Sequence, residues 1–546
     1  MKTFPQSRRA LSVSLILILS GCAGTGVRSP SSIALHPPHL QGADWIEASQ
    51  RIAEDVALDT FNKSTCSVYL KELQAELDHI DLTALTGKEL PEPGLSIRQR
   101  LGKYAPKIVE QLWATRLTLH DRLPEIGSEC ATEVRQAFRQ IRFVEDYLSE
   151  LAINVEGVDP TKIEKFFEGE PVPMRERPAF YLDQRRVSAV PTEPRAGDVF
   201  VTRGVSFLSA MIARLGSNPS QFSHIVYLAE TDGPKLGEPK DQKVRERLST
   251  IESYVGKGVD FYDFNFALKN ENARILWLRP RDEVLAAKTA KETSELVRSR
   301  IDSGNKIKYD YRLDFTDRKT LSCAEVAQYG FERSSNGKLL IPEFPSELNP
   351  SNQLVQLIGA PGGKTFSPGD LENDSRFMLM GDFHDLRITR DSRQKDAVLT
   401  KIVEWMDRDG YKLQKTLKSR AATPIWVLRK TPLWPLVNLA LKLDLSKEVP
   451  PRMMRTLILV SKVGEIMLEA AQAADKEFES KAGVPMTYKQ LYDSLEKFRS
   501  ADAQVYLSNK KEAKLHPYFR PDHGVKVSSW EETNGKVGEV HKATEE

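Results

Sequence analysis

Apolar residues recur at helical spacing at both ends of the chain and at strand spacing in the middle. Trp45, Ile46, Ile52, Val56 and Leu58 open one amphipathic segment, and Leu70, Leu73, Leu77 and Ile80 continue a second face at i, i+3, i+7 and i+10. Val109, Leu112, Trp113 and Leu117 make a third, and Val134, Phe138, Ile141 and Leu148 a fourth. This 3.6-residue period predicts an antiparallel helical bundle with short loops over residues 43–156. Prolines 160, 171, 173, 178, 191 and 194 then punctuate 157–196, which reads as a connector with some extended structure.

Beyond it the texture changes. Gly197-Asp198 reads as a turn into a strand over Val199–Thr202, Phe207–Leu215 as a short apolar helix, and Ser223–Ala229 as a second strand. Thr250–Tyr254 and Ala273–Arg279 are further strands, Glu283–Ser303 a helix, and Thr320–Glu332 another. The charged run Lys235–Arg247 is a surface excursion. Residues 359–365, GAPGGKT, fall one residue short of the phosphate-loop spacing and read as a turn. Helical patterning returns from about Lys395 to Tyr518, giving a C-terminal helical region over 391–523 and a polar, disordered tail over 524–546. Within it, Thr423–Leu445 is apolar, but Arg429, Lys430 and Pro435 argue against a membrane span. It either packs the C-terminal region on the strand-containing domain or lies in a membrane interface. The whole is α+β: a strand-containing domain over 197–390 flanked by helical regions.

Composition places the chain among soluble globular proteins, with 40% apolar and 28% charged residues. The formal charge is +2, yet Lys2, Arg8 and Arg9 lie in the leader, and residues 22–546 hold 75 basic against 76 acidic residues. No basic surplus points to nucleic acid. The leader, residues 1–21, has a basic start and an apolar run from Leu11 to Leu19, too short to span a bilayer. Leu19-Ser20-Gly21-Cys22 resembles a bacterial lipobox, which predicts a mature N-terminus at a lipidated Cys22. Ala23 after it resembles lipoproteins sorted to the outer membrane. The expected setting is the cell envelope, with contact to a membrane through the N-terminal lipid. Residues 22–42, rich in Gly, Ser and Pro, read as a tether, and His36 and His39 within it have no other ligand-type residue near. In an oxidising compartment Cys66 and Cys130, both in the N-terminal helical region, are expected to pair, leaving Cys323 as the odd thiol.

Cys323 is where chemistry is expected. Ser322 and Glu325 stand in the S-x-x-E spacing of a capping box, making Ser322 the N-cap and Cys323 the first helical residue. Free backbone N–H groups and the positive end of the helix dipole favour thiolate there. A thiol nucleophile needs a base and a group to hold that base. His224 opens one strand, and Glu252 sits in the next, where an unpaired carboxylate would be costly and an imidazole would satisfy it.

Three blocks carry a resemblance: AGDVFVTRGVSFLSAMIARLGSNPSQFSHIVYL, STIESYVGKGVDFYDF and KYDYRLDFTDRKTLSCAEV. Together they look like the permuted papain-like cysteine hydrolases of the YiiX and YaeF type, relatives of the NlpC-type cell-wall peptidases and of lecithin retinol acyltransferase. The resemblance covers about Arg195–Ile388, including SPGDLENDSRF at Ser367–Phe377. It implies a permuted papain-like core, a small antiparallel sheet plus a catalytic helix, with Cys323 as nucleophile, His224 as base and Glu252 as orienting group. It also implies an amide or ester substrate, peptidoglycan peptide or acyl group; no metal or cofactor is expected. Where that family usually has serine after its cysteine, this chain has Ala324. The sequence leaves three readings open: a hydrolase, an acyltransferase, or a non-catalytic envelope lipoprotein using the core as a binding scaffold. It assigns no protein partner to the helical regions.

Overall fold

One antiparallel sheet gathers strands that lie far apart in the chain, and among the described residues only Leu248–Tyr254 and Gly258–Asp263 follow one another through a tight turn. The structure, a computed structural model, describes residues 61–78, 96–152, 180–182, 194–216, 220–230, 248–264, 272–386, 388–414 and 450–522, with positions 57, 524 and 525. Six expectations lie wholly outside these residues: the leader, Cys22 with its tether, the face formed by Trp45, Ile46, Ile52, Val56 and Leu58, Ile80, the excursion Lys235–Arg247 and the stretch Thr423–Leu445. Most of the connector and of the tail lies outside them as well.

The strands are β1 (Phe180–Leu182), β2 (Val199–Gly204), β3 (His224–Glu230), β4 (Leu248–Tyr254), β5 (Gly258–Asp263), β6 (Asn272–Pro280), β7 (Ser346–Leu348), β8 (Gly363–Thr365), β9 (Phe377–His384), β10 (Tyr411–Leu413) and β11 (Phe519–Pro521). Seven of them form one antiparallel sheet in the order β1-β9-β6-β2-β3-β4-β5. The three-residue strand at Phe180–Leu182 lies inside the stretch read as connector and closes one edge of the sheet. GAPGGKT is only half a turn: Gly359 takes a left-handed backbone (φ 80°), while Gly363–Thr365 pairs with Ser346–Leu348.

The helices are α1 (Cys66–Asp78), α2 (Ile97–Asp121), α3 (Ala131–Ala152), α4 (Phe207–Ile212), α5 (Glu283–Asp302), α6 (Cys323–Ser334), α7 (Gln353–Ile358), α8 (Thr389–Asp407), α9 (Pro451–Ala482) and α10 (Tyr488–Ser508), besides short single turns. On α6, Ala324, Ala327 and Phe331 form the buried stripe and pack with Ile225, Tyr227 and Ile251 of β3 and β4. Burying each large apolar side chain contributes about 1.5–3 kcal/mol, which is enough to seat the helix on these strands. Phe331 meets Tyr227 edge to face at 6.1 Å between centroids.

The Gly197-Asp198 turn has a structural purpose. Gly197 holds φ +94° with the Ala286 carbonyl so close that a Cβ would lie 2.7 Å from it. Asp198 is buried and accepts from Arg279 Nε at 2.9 Å, from Arg279 Nη2 at 2.8 Å and from Trp277 Nε1 at 2.9 Å. That locks β2 to β6.

The N-terminal helices bury the faces the pattern predicts, and Cys66 and Cys130 form a disulfide between α1 and the start of α3. Trp113 and Leu117 depart from that pattern: both belong to the core of the sheet rather than to that of the helices. The C-terminal helices share a further core with α4 and α7, through Met211, Leu215, Leu354, Val463 and Met467. No helix among the described residues is long and apolar enough to cross a membrane.

Candidate functional site

Strand alternation sets the first half of the site. Thr250, Glu252 and Tyr254 stand at i, i+2 and i+4 on β4, so their side chains share one face. Glu252 is fully buried and its carboxylate is claimed on both oxygens. Oε1 accepts from Thr250 Oγ1 at 2.5 Å. Oε2 lies 2.7 Å from His224 Nε2 and also accepts from Tyr254 Oη at 2.8 Å. The Tyr254 ring stacks on the imidazole, with centroids 4.9 Å apart and planes 26° apart. Thus one residue holds both the carboxylate and the face of the histidine.

The second half comes from α6. Ser322 caps the helix and its backbone N–H donates to Glu325 Oε2 at 2.7 Å, the carboxylate side of the expected capping box. Ser253 Oγ donates to the Leu321 carbonyl at 2.6 Å, tying the start of α6 to β4. Cys323 follows as the first helical residue, 6% exposed, and is the free cysteine among the described residues.

The Cys323 sulfur lies close enough to His224 to act on the imidazole. Since Glu252 takes Nε2, Nδ1 is the nitrogen left to exchange a proton with the sulfur. Burial pushes the imidazole pKa down, but the neighbouring Cys323 sulfur, followed by the hydrogen-bonded Glu252 carboxylate, outweighs it and holds the pKa at about 10. The arrangement sets a carboxylate-held imidazole beside a thiol, so a proton can pass between the sulfur and the ring. The structure brings Cys323, His224 and Glu252 together. Cys66 and Cys130 stand apart as the disulfide, and Cys22 lies outside the described residues.

Three contributors were not singled out in the sequence: Thr250, Tyr254 and Tyr309. The first two sit two positions either side of Glu252, so strand alternation already placed them on its face. Tyr309 is buried, lines the same cavity as Cys323, and its hydroxyl is held well above the usual phenol range by burial and then by the charge on Cys323.

Cys323 opens on a cavity of about 670 Å³, part of it open to solvent. Leu208, Met211, Ile212 and Leu215 line one side, with Leu313 and Phe366 elsewhere in the wall. Among the described residues, Asp310 is the one acidic residue of the lining and no Lys, Arg or His takes part.

The described residues hold one cluster with the chemistry for a metal: Glu145, Asp382 and His384 bring their ligand atoms within 4.8 Å of one another. Arg116 reaches both carboxylates, lying 3.0 Å from Glu145 Oε2, and Arg274 Nη1 lies 3.2 Å from Asp382 Oδ2. Two guanidinium groups thus supply the positive charge that a cation would bring, and the cluster is an ion-pair network. Compared with protein-family models, curated proteins and solved structures, the chain finds no match.

Proposed function

We propose that the chain is a cysteine acyl hydrolase of the permuted papain-like kind, anchored in the cell envelope by a lipid on Cys22. One observation carries this reading: a thiol at a helix N-terminus, paired with a carboxylate-held imidazole, opens on a cavity whose wall is mostly aliphatic and aromatic. Peptidoglycan stems carry several carboxylates and would meet Asp310 and, among the described residues, no basic side chain in that lining. An acyl chain asks only for apolar surface and a carbonyl near the sulfur. A membrane anchor would keep such substrates within reach.

In the proposed reaction the Cys323 thiolate attacks the acyl carbonyl and a C–S bond forms. The oxyanion is stabilised by the Cys323 backbone N–H. His224 gives its Nδ1 proton to the leaving alkoxide or amine as the C–O or C–N bond breaks, leaving a thioester. Water then attacks that thioester, His224 takes the water's proton, and the C–S bond breaks to return thiolate, imidazolium and a free acid. An alcohol or amine in place of water would make the same site an acyltransferase. Glu252 and Tyr254 hold the imidazole throughout.

The test is to offer the full-length protein p-nitrophenyl esters of graded chain length and to look for an acyl adduct on Cys323 by mass spectrometry. Hydrolysis with a Cys323-bound intermediate, lost in Cys323→Ala and His224→Ala, is the expected result. A protein that neither turns over esters nor carries the adduct is the non-catalytic scaffold.

A further inference from the structure

The cavity beside Cys323 is not walled by 197–390 alone. Among its lining residues Met453, in the first turn of α9, is contributed by the C-terminal helical region. Its side chain is 8% exposed and buried with Met211, Leu215, Leu348 and Ile358. Two contacts hold α9 in that position. Thr456 Oγ1 donates to the Leu357 carbonyl of α7 at 3.3 Å. At Gly464 the helix comes so close to the Phe207 ring of α4 that a Cβ there would lie 2.9 Å from Cε1. The helix therefore braces α4 and α7, which themselves line the cavity, and adds one side chain of its own.

We propose that α9 completes the acyl site and that Met453 sets the length of chain it accepts. This rests on the acyl-hydrolase reading and adds to it a specificity residue lying outside the core that carries Cys323, His224 and Glu252. Methionine suits the position because an unbranched thioether with three rotatable bonds fills a gap without fixing its shape. A bulkier, rigid side chain would shorten the available space, and a smaller one would lengthen it by about the three or four atoms removed.

The experiment alkylates Cys323 in the full-length protein with iodoacetamide and with N-hexyl and N-dodecyl iodoacetamide, reading rates by mass spectrometry. Wild type is expected to react at least tenfold faster with the dodecyl reagent than with the plain one. In Met453→Trp the dodecyl-to-plain ratio should fall about tenfold, with the hexyl ratio falling less. In Met453→Ala, a second variant that introduces no added bulk, the preferred chain should become longer, tested with a hexadecyl reagent once its circular dichroism matches wild type. If wild type reacts equally with all chain lengths, the acyl reading itself fails. If wild type prefers long chains and both variants keep the wild-type ratios, the acyl reading stands and the assignment of Met453 is overturned.

Discussion

Three hydrogen bonds on the two oxygens of Glu252 decide how tightly His224 is held. Tyr254 shares Oε2 with the imidazole, so it draws off part of the charge that would otherwise pull on the imidazolium, while its ring limits rotation of the histidine. Opposite shifts follow. Tyr254→Phe leaves Oε2 to His224 alone, so the alkaline limb of the Cys323 alkylation profile, near pH 10 in wild type, should move upward while ester turnover falls about three- to tenfold through looser positioning. Glu252→Gln removes the charge and should move the limb down by about one pH unit or more. A Tyr254→Phe limb that stays in place would leave Tyr254 a packing residue only. The sign of the stability effect is fixed too: a histidine raised from 6.5 to about 10 contributes fully below pH 6.5 and loses that contribution as pH rises through 10. At this scale the sequence was legible wherever one residue type announces one chemistry, as Cys323, His224 and Glu252 do. Tyr254 was passed over because a tyrosine in a strand is most simply a β-former; only the alternation about Glu252 distinguishes it.

Helix α6 shows what an element demands of its own cap. Glu325, third in the helix, is fully buried, and burial raises its pKa to about 8 against the pull of the Ser322 N–H. The nearest cation, Arg318 Nη1, is 4.0 Å away. A carboxyl that keeps its proton to pH 8 when folded but releases it at 4.5 when unfolded costs stability progressively across that window. Glu325→Gln keeps an acceptor for the Ser322 N–H and cannot ionise. It should leave stability near wild type at pH 5 and raise it by about 1–3 kcal/mol at pH 9, measured by urea unfolding at both values. Equal stabilities at pH 9 would mean the folded protein ionises Glu325 without penalty. The capping box was legible because its spacing is local; its burial was not, since it depends on what packs over the turn. Two strands escaped for a similar reason. Gly258–Asp263 follows Gly256-Lys257-Gly258, which reads as a turn running on, and in Phe377–His384 a glycine and Asp382 interrupt an apolar run. Asp382 stands there for partners far away in sequence.

Those partners bind the N-terminal helices to the sheet. Arg116 of α2 is fully buried and reaches Glu145 of α3 at 3.0 Å, Glu372 at 2.8 Å, and Asp382 of β9. Arg142 of α3 pairs with the same Glu372, and Arg274 of β6 lies 2.8 Å from Asp146 of α3. Arg116 and Asp382 are 266 positions apart, so no periodicity or local composition could announce the pairing, and proline punctuation marked a boundary between bundle and sheet that these side chains cross. Trp113 and Leu117 cross it as well, from the apolar side. Helices and sheet should therefore unfold together. Arg116→Ala leaves three buried carboxylates short of a cation and should cost about 3–5 kcal/mol, because removing one partner of a buried pair strands the other. Helix loss, followed by far-UV circular dichroism in a denaturant series, and exposure of Cys323, followed by its alkylation rate, should share one midpoint in wild type and shift together in the variant. A variant in which the helical signal moves while Cys323 keeps its wild-type midpoint would make the bundle a separate body. If the midpoints do move together, the network is what keeps the helical region attached to the strands that carry His224 and Glu252.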